Sequence, residues 1–434
     1  MVDYTQYSIY GTFLTLILVS YLGNQALRNR RNKAALASAI RSGLTEPTSL
    51  HPVINPNRCI GCGTCISVCP EGNVLGLIDG KSKLINPTHC IGHGACKAAC
   101  PIDAITLVFG TETRGVDIPI VQPTFETNVR GIYIAGELGG MGLIRNAVTQ
   151  GVQAMESIGE TLEKNRPKLL DAVIVGAGPA GFAAGLSAMA SGFKFKLLEQ
   201  DSLGGTVSHY PRGKIVMTAP VNLPKVGKVK FTETTKEVLL EFWQGVLEKT
   251  GLEISFQERV EKITKQSQGF VVKTTRSSYA TQKVLLAVGR RGTPRKLNVP
   301  GEEHTKVVYR LIDPEQYSGK HVLVVGGGDS ALEAATTIAD KPGTTVALSY
   351  RSGAFSRAKQ KNRQKVEDAS ANGRLKVLLE SEVLSIDDDT VHIKQHNKQI
   401  KLRNEAIIVC AGGILPTGFL KEIGIEVETK YGTE

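Results

Sequence analysis

Beyond residue 100 the sequence holds one cysteine, Cys410, set in the apolar run IIVCAGG. A C-x-x-C pair is therefore missing from the rest of the chain, which leaves no dithiol there for redox exchange. Cys410 itself reads as a small apolar residue of a buried strand. A net charge of +11 comes with no nucleic-acid-binding motif, and its 52 Lys and Arg residues are spread along the chain. Nucleic acid is excluded as a partner on that ground, and an anionic membrane surface or an acidic protein fits the charge better. Between Tyr4 and Leu27 there is no charged residue, and no basic segment precedes that stretch as a cleaved signal peptide requires.

The uncharged stretch centres on GTFLTLILVSYLG. As a helix it would extend about 36 Å at 1.5 Å per residue, enough for a bilayer core. Asp3 precedes it, while Arg28, Arg30, Arg31 and Lys33 follow. The positive-inside rule then predicts a single pass with the N-terminus outside and the remaining chain in the cytoplasm. The expectation is an anchor over 1–27 and a basic, proline-punctuated linker over 28–52.

The other seven cysteines lie between residues 59 and 100. CIGCGTCISVCP holds Cys59, Cys62, Cys65 and Cys69, the C-x2-C-x2-C-x3-C-P run that carries two iron–sulfur clusters. CIGHGACKAACP repeats it 31 positions later with Cys90, His93, Cys96 and Cys100. One ligand position has thus changed from cysteine to histidine. In such runs the fourth cysteine reaches the other cluster. That crossover assigns Cys59, Cys62, Cys65 and Cys100 to one [4Fe–4S] site, and Cys69, Cys90, Cys96 and His93 to a second. Zinc is the competing reading, but its sites use paired ligand spacings. At the second site three alternatives stay open: His93 ligates iron, His93 sits over a [3Fe–4S] cluster, or the site is empty or otherwise filled. A neutral imidazole in place of a thiolate should raise the reduction potential.

Two glycine loops follow. DAVIVGAGPAGFAAG, from residue 171, gives G-x-G-x-x-G at Gly176, Gly178 and Gly181, between an apolar strand and a helix of small residues. Pro179 and Ala180 open that helix. Glu199 closes the next strand, eighteen residues past Gly181, where a carboxylate accepts the hydroxyls of a ribose. Gly204, Gly205 and Gly289 join these as candidate cofactor contacts. KHVLVVGGGDSALEAA, from residue 320, gives G-x-G-x-x-A at Gly326, Gly328 and Ala331, with Asp329 and Ser330 between. Its next strand ends on Ser349, Tyr350 and Arg351, with Arg357 close behind and no acid. A guanidinium in place of a carboxylate favours a 2′-phosphate, hence NADP over NAD.

Two such loops about 150 residues apart, with GGGDSALEAA and the A-x-G-x-x-P and G-x-x-P-T segments, make residues 171–434 resemble a thioredoxin-reductase-like flavoprotein. Residues 53–108 resemble dicluster ferredoxin domains, and the whole is similar to ferredoxin-fused flavin oxidoreductases. The resemblance implies an α/β fold with two dinucleotide-binding domains: FAD over 109–300 with 403–434 returning, and NAD(P)H over 301–402. The small dicluster domain is α+β. It implies electron movement between NAD(P)H, FAD and two clusters, to or from a membrane electron-transfer subunit, quinone-reactive or cytochrome. Alternatives are a ferredoxin–NADP+ reductase serving a soluble carrier, a disulfide or thiol reductase, and a non-catalytic electron-wiring or sensor subunit. Thioredoxin reductases carry a C-x-x-C that this chain lacks. The family also has a flavin-capping T-x-x-x-G-I-Y-x-A-G-D segment after G-x-x-P-T. Here PTFETNVRGIYIAGELGG, from residue 123, stands ahead of the first glycine loop, with Gly136 and Glu137 at the flavin-contacting positions. A circular permutation of the FAD domain is the expectation. Residues 431–434 should then lie near 113–125, and a cluster should come close to the flavin ring.

Overall fold

The computed structural model describes residues 4–41, 44–47, 50–90, 92–112, 115–140, 142–163, 166, 168–210, 212, 214–217, 220–231, 233–290, 292–356, 358–396 and 398–432. It divides into two compact units, 1–114 with 431–434, and 115–430.

The smaller unit opens on one unbroken helix, Tyr4–Arg41. The boundary expected between anchor and linker, at 27/28, falls inside it. Its rear half is docked on the hairpin Leu75–Ile78 and Lys81–Leu84. Asn32 donates to the Leu77 carbonyl at 2.8 Å, Asn29 exchanges two 3.1 Å bonds with Asp79, and Lys33 pairs with Asp79 at 2.8 Å. These three residues share a helix face at i, i+3 and i+4. In the front half Phe13, Leu14 and Ile17 are exposed.

Among the described residues, no helix is long and apolar enough to cross a membrane. The expected single-pass anchor and membrane localisation are corrected accordingly. Thr12, Thr15, Ser20, Asn24 and Gln25 interrupt the apolar stretch and leave Leu16 to Val19 as its unbroken strongly apolar run. A spanning helix needs about 20 predominantly apolar residues.

The cysteine repeat folds as a repeat. Strand His51–Ile54 pairs antiparallel with Ile105–Val108. The one-turn helices Thr64–Ser67 and Ala95–Ala98 each follow a glycine in the left-handed region, Gly63 at φ +77° and Gly94 at +75°. Cys65, Cys90 and Cys96 are buried with Val74, Leu75 and Ile105. At the chain's end, Gly432 donates to the Phe109 carbonyl at 2.9 Å.

The larger unit contains two sheets. In the first, strand Ser278–Leu286 pairs antiparallel with Gly269–Thr274 along its first half and parallel with Leu170–Val175 on its other side. Phe195–Leu198 extends the sheet beyond Leu170–Val175. Where Gly269–Thr274 departs, Ile132–Ile134 takes its place, Ile132 opposite Val284. Where these strands run side by side, Ile132–Ile134, Ala172–Val175 and Val284–Leu286 are largely Val, Ile and Leu and are buried, as parallel strands covered on both faces must be. Helices Ile144–Glu160 and Pro179–Ala190 pack together on this sheet. A Cβ at Gly151 would stand 2.1 Å from the Ala180 carbonyl oxygen, so the small residues set how closely the helices approach. Strand Val427–Lys430 pairs antiparallel with Val116–Pro119. The expectation placed 431–434 beside 113–125; the pairing involves the residues just before, 427–430, while Gly432 lies against Phe109 to Glu112, and residues 113, 114, 433 and 434 lie outside the described residues.

The second sheet is parallel throughout, ordered Val307–Val308, Ala406–Val409, His321–Val325, Thr345–Tyr350, Leu375–Leu379. The sequence expectation has 403–434 returning to the first domain. The strand Ala406–Val409 belongs instead to the second sheet, because its four apolar residues are buried on both faces. The return begins just after it, where Gly413–Ile414 pairs with Thr293–Pro294 on the outgoing strand.

Candidate functional site

The first glycine loop is shaped by close approach. Gly176 has φ +102°, and a Cβ there would lie 2.6 Å from the Ala287 carbonyl oxygen. A Cβ on Gly181 would fall 1.7 Å from the Gly176 oxygen, so the helix Pro179–Ala190 starts directly against the turn. Its N-cap, Gly178, offers no capping side chain, and Pro179 and Ala180 form its first turn. The free N–H groups of such a helix start suit a pyrophosphate. Gly205, at φ +54°, would place a Cβ 3.1 Å from Gly178 Cα, and Gly204 donates to the Ala177 carbonyl at 3.0 Å. Gly289, at φ +65°, has open space around it.

Glu199 ends the adjacent strand and is buried. Its carboxylate accepts from Ala177 N–H at 2.7 Å and Asp201 N–H at 2.9 Å. Burial pushes its pKa up, and those two N–H bonds oppose the rise. Two lone-pair directions remain to accept hydroxyl groups.

The displaced segment meets this loop. Gly136 has φ +85°, and a Cβ there would come 2.9 Å from Ala180 Cβ. Its N–H donates to Gln150 Oε1 at 2.9 Å. Glu137 follows in a short turn beside the half-buried Arg290, which also donates to the Asp117 carbonyl at 3.1 Å. Burial pulls the Arg290 pKa down, against the Glu137 and Asp117 charges.

The second loop opens on a cavity of about 1210 Å³. Gly326, at φ +144°, packs against the Cys410 carbonyl, with the fully buried Ala331 beneath it. Gly328, Asp329, Ser330 and Arg351 line the cavity. Asp329 is also tied structurally, since its Oδ1 accepts from Lys359 N–H at 2.8 Å and Asn362 at 2.7 Å. Arg357 lies outside the described residues. The motifs did not reveal the far wall, where Asp201, His209 and Arg310 cluster, with Arg310 Nη1 3.5 Å from Asp201 Oδ2 and His209 3.4 Å from the same oxygen. Lys214 pairs with Glu333 nearby. These residues come from segments far apart in the chain and carry no local signature.

In the smaller unit the cysteines surround two separate cavities. Cys59, Cys62, Cys65 and Cys100 line one, and Cys69, Cys90, Cys96 and His93 line the other. The three-plus-one crossover drawn from the spacing is therefore how the side chains are grouped. No set of three or more His, Cys, Asp or Glu among the described residues is gathered tightly enough for a single metal ion. Donors standing around a cavity suit a cluster that brings its own iron and sulfide. Burial pushes the Cys90 thiol up to about 11 and raises Cys65 and Cys96. The exposed Cys62 is lowered by the Thr64 hydroxyl. Beside His93, Glu71 lines the second cavity, with Oε1 3.8 Å from His93 Nε2.

Residues 173–433 match the pyridine nucleotide-disulphide oxidoreductase family, and residues 51–101 match the 4Fe-4S dicluster domain. Among curated proteins, the chain is similar to the bacilliredoxin reductase Bdr of Bacillus subtilis, 27% identical over 268 residues, 60% of this chain and 82% of that protein. It is also similar to a ferredoxin–NADP reductase of Thermus thermophilus, 29% identical over 271 residues, 59% of this chain and 77% of that one. A solved structure, the bacillithiol disulfide reductase Bdr (YpdA) from Bacillus cereus, shares the fold with TM-score 0.54 at 23% identity, over 59% of this chain and 81% of its own.

Proposed function

This chain belongs to the pyridine nucleotide-disulphide oxidoreductase family, and from that premise we propose that it moves electrons between NADPH and two iron–sulfur clusters through FAD. Bound in the loops described, FAD would supply the exchange between two-electron nicotinamide chemistry and the one-electron chemistry of the clusters. Glu199 holds the flavin nucleotide's ribose, and the N-terminus of Pro179–Ala190 holds its pyrophosphate. Gly136 and Glu137 lie along the same loop, which fits a circular permutation of the FAD domain. Arg351 lines the second cavity, and the strand that leads to it ends on Ser349, Tyr350 and Arg351 without a carboxylate, which suits a 2′-phosphate. Thiolates of Cys59, Cys62, Cys65 and Cys100 hold one [4Fe–4S] cluster. Cys69, Cys90 and Cys96 hold the second, with His93 at its fourth corner. No side chain is required as acid or base.

The crossed grouping of the cysteines into two cavities carries this reading. It gives electrons a route that does not depend on a dithiol, which the larger unit lacks. Their external donor or acceptor is a one-electron carrier protein, and the same residues serve either direction of flow. The named activity of the Thermus relative, ferredoxin–NADP reduction, is consistent with such a carrier. Disulfide reduction, suggested by the Bdr relative, meets a chain with only Cys410 beyond residue 100.

Anaerobic titration with NADPH and with NADH, followed by EPR, tests the proposal. The expected result is flavin bleaching at lower NADPH than NADH concentration, then two cluster signals. Flavin reduction with no cluster signal, or brisk turnover of disulfides, would refute it.

A further inference from the structure

Hydrogen-bond donors surround the sulfurs of the first cysteine cavity. Ser82, buried in strand Lys81–Leu84, stands with its Oγ 3.3 Å from Cys65 Sγ and its backbone N–H donating to Cys59 Sγ at 3.5 Å. The Thr64 hydroxyl donates to Cys62 Sγ at 3.4 Å, and the Ala104 N–H to Cys100 Sγ at 3.2 Å. All four sulfurs of that cavity therefore have a polar neighbour, two of them a hydroxyl.

The second cavity is walled differently. The 31-residue repeat puts Ala95 at the place of Thr64. Its described lining includes Pro52, Val74, Leu75 and Leu107, and no serine or threonine.

We propose that the hydroxyls of Ser82 and Thr64 are positioning groups that raise the reduction potential of the cluster held by Cys59, Cys62, Cys65 and Cys100. The inference rests on reading that cavity as a cluster site. A cysteine on iron has lost its proton, so between Cys65 Sγ and Ser82 Oγ only the hydroxyl has one to give. A hydrogen bond to a sulfur ligand stabilises the more negative, reduced cluster more than the oxidised one, which raises the potential. Ser82 is well placed for this role because it is held from both sides. Its strand pairs it with Leu77, and burial keeps water from replacing its hydroxyl. The two sites are thus tuned by separate means: hydroxyl donors at the first, an imidazole at the second.

The test is an EPR-monitored anaerobic redox titration of the full-length holoprotein. In Ser82→Ala, one cluster should become harder to reduce by about three- to tenfold in its equilibrium, roughly 28 to 59 mV for one electron. The other cluster's midpoint should stay in place, and Ser82→Thr should restore the original value. If Ser82→Ala does not retain the cluster, Thr64→Val reads the same effect at Cys62, and a lowered midpoint supports the proposal. Unmoved midpoints with normal signals, in whichever variant is loaded, overturn it alone. A wild-type protein without cluster signals overturns both this proposal and the cluster reading beneath it.

Discussion

The two glycine loops share a backbone path and differ at two points. In the first, Gly181 lies so close that a Cβ would overlap the Gly176 oxygen, and the next strand ends on the buried, doubly hydrogen-bonded Glu199. In the second, Ala331 occupies the third position, and the strand ends on Tyr350 and the exposed Arg351. The first site is thus rigid and closed around a carboxylate, as suits a cofactor that stays. The second faces a broad cavity with a cation at its rim, as suits a nucleotide that comes and goes. Backbone shape sets the ligand class, and the strand-end residue sets which member of the class binds.

The sharpest way to break this contrast is Gly181→Val. The clash at 1.7 Å is with backbone and cannot be relieved by a rotamer. Purified protein should contain no flavin by absorbance, and its urea midpoint should fall by the equivalent of about 3 kcal/mol. A flavin-loaded variant would show the closeness to be dispensable.

Glu199→Ala should weaken FAD binding by about 100-fold, since hydrogen bonds to a charged group contribute about 1.5–3 kcal/mol. Acidity adds a second readout. Burial raises the pKa of Glu199, and the ribose hydroxyls favour its ionised form. FAD affinity should therefore decline as pH falls, starting above the ordinary glutamate range. Glu199→Gln should remove that dependence, as followed by fluorescence of released flavin. A profile unchanged in Glu199→Gln would place the titrating group elsewhere.

Arg351→Ala should raise KM for NADPH about 10-fold through loss of a charge-assisted bond and leave that for NADH nearly unchanged. Equal losses with both nucleotides would make Arg351 a general contact. The smallest effect belongs to Ala331→Gly, which should cost about 1 kcal/mol of stability as a helix glycine while sparing both nucleotides. If it changed nucleotide choice, the third loop position would matter to specificity.

Much of this arrangement was legible in residue order. The cysteine repeat, both glycine loops and the displaced GIYIAGE segment are local patterns, and the backbone they require is local as well. What escaped is what depends on residues far apart. Ser82 belongs to no motif and reaches Cys59 and Cys65 only because a hairpin folds over them. Arg310 meets Asp201 and His209 across 109 and 101 positions. Ala406–Val409 looked like a returning strand because its neighbours in space, His321–Val325 and Val307–Val308, are invisible to a linear scan. The anchor failed for a different reason. Absence of charge is not apolarity: threonine, serine, asparagine and glutamine also lack charge.

The strand Ile132–Ile134 leaves the ribosome long before its partner Val284–Leu286. About 150 residues separate them, roughly 8 to 30 seconds of synthesis at ordinary rates. During that interval the nascent chain carries an apolar, unmatched sheet edge. A gene trimmed to the region from residue 173 onward would encode the reverse defect, a sheet with its border strand deleted. Chaperone demand during translation, and insolubility of such a trimmed product, follow from placing that border ahead of everything it closes.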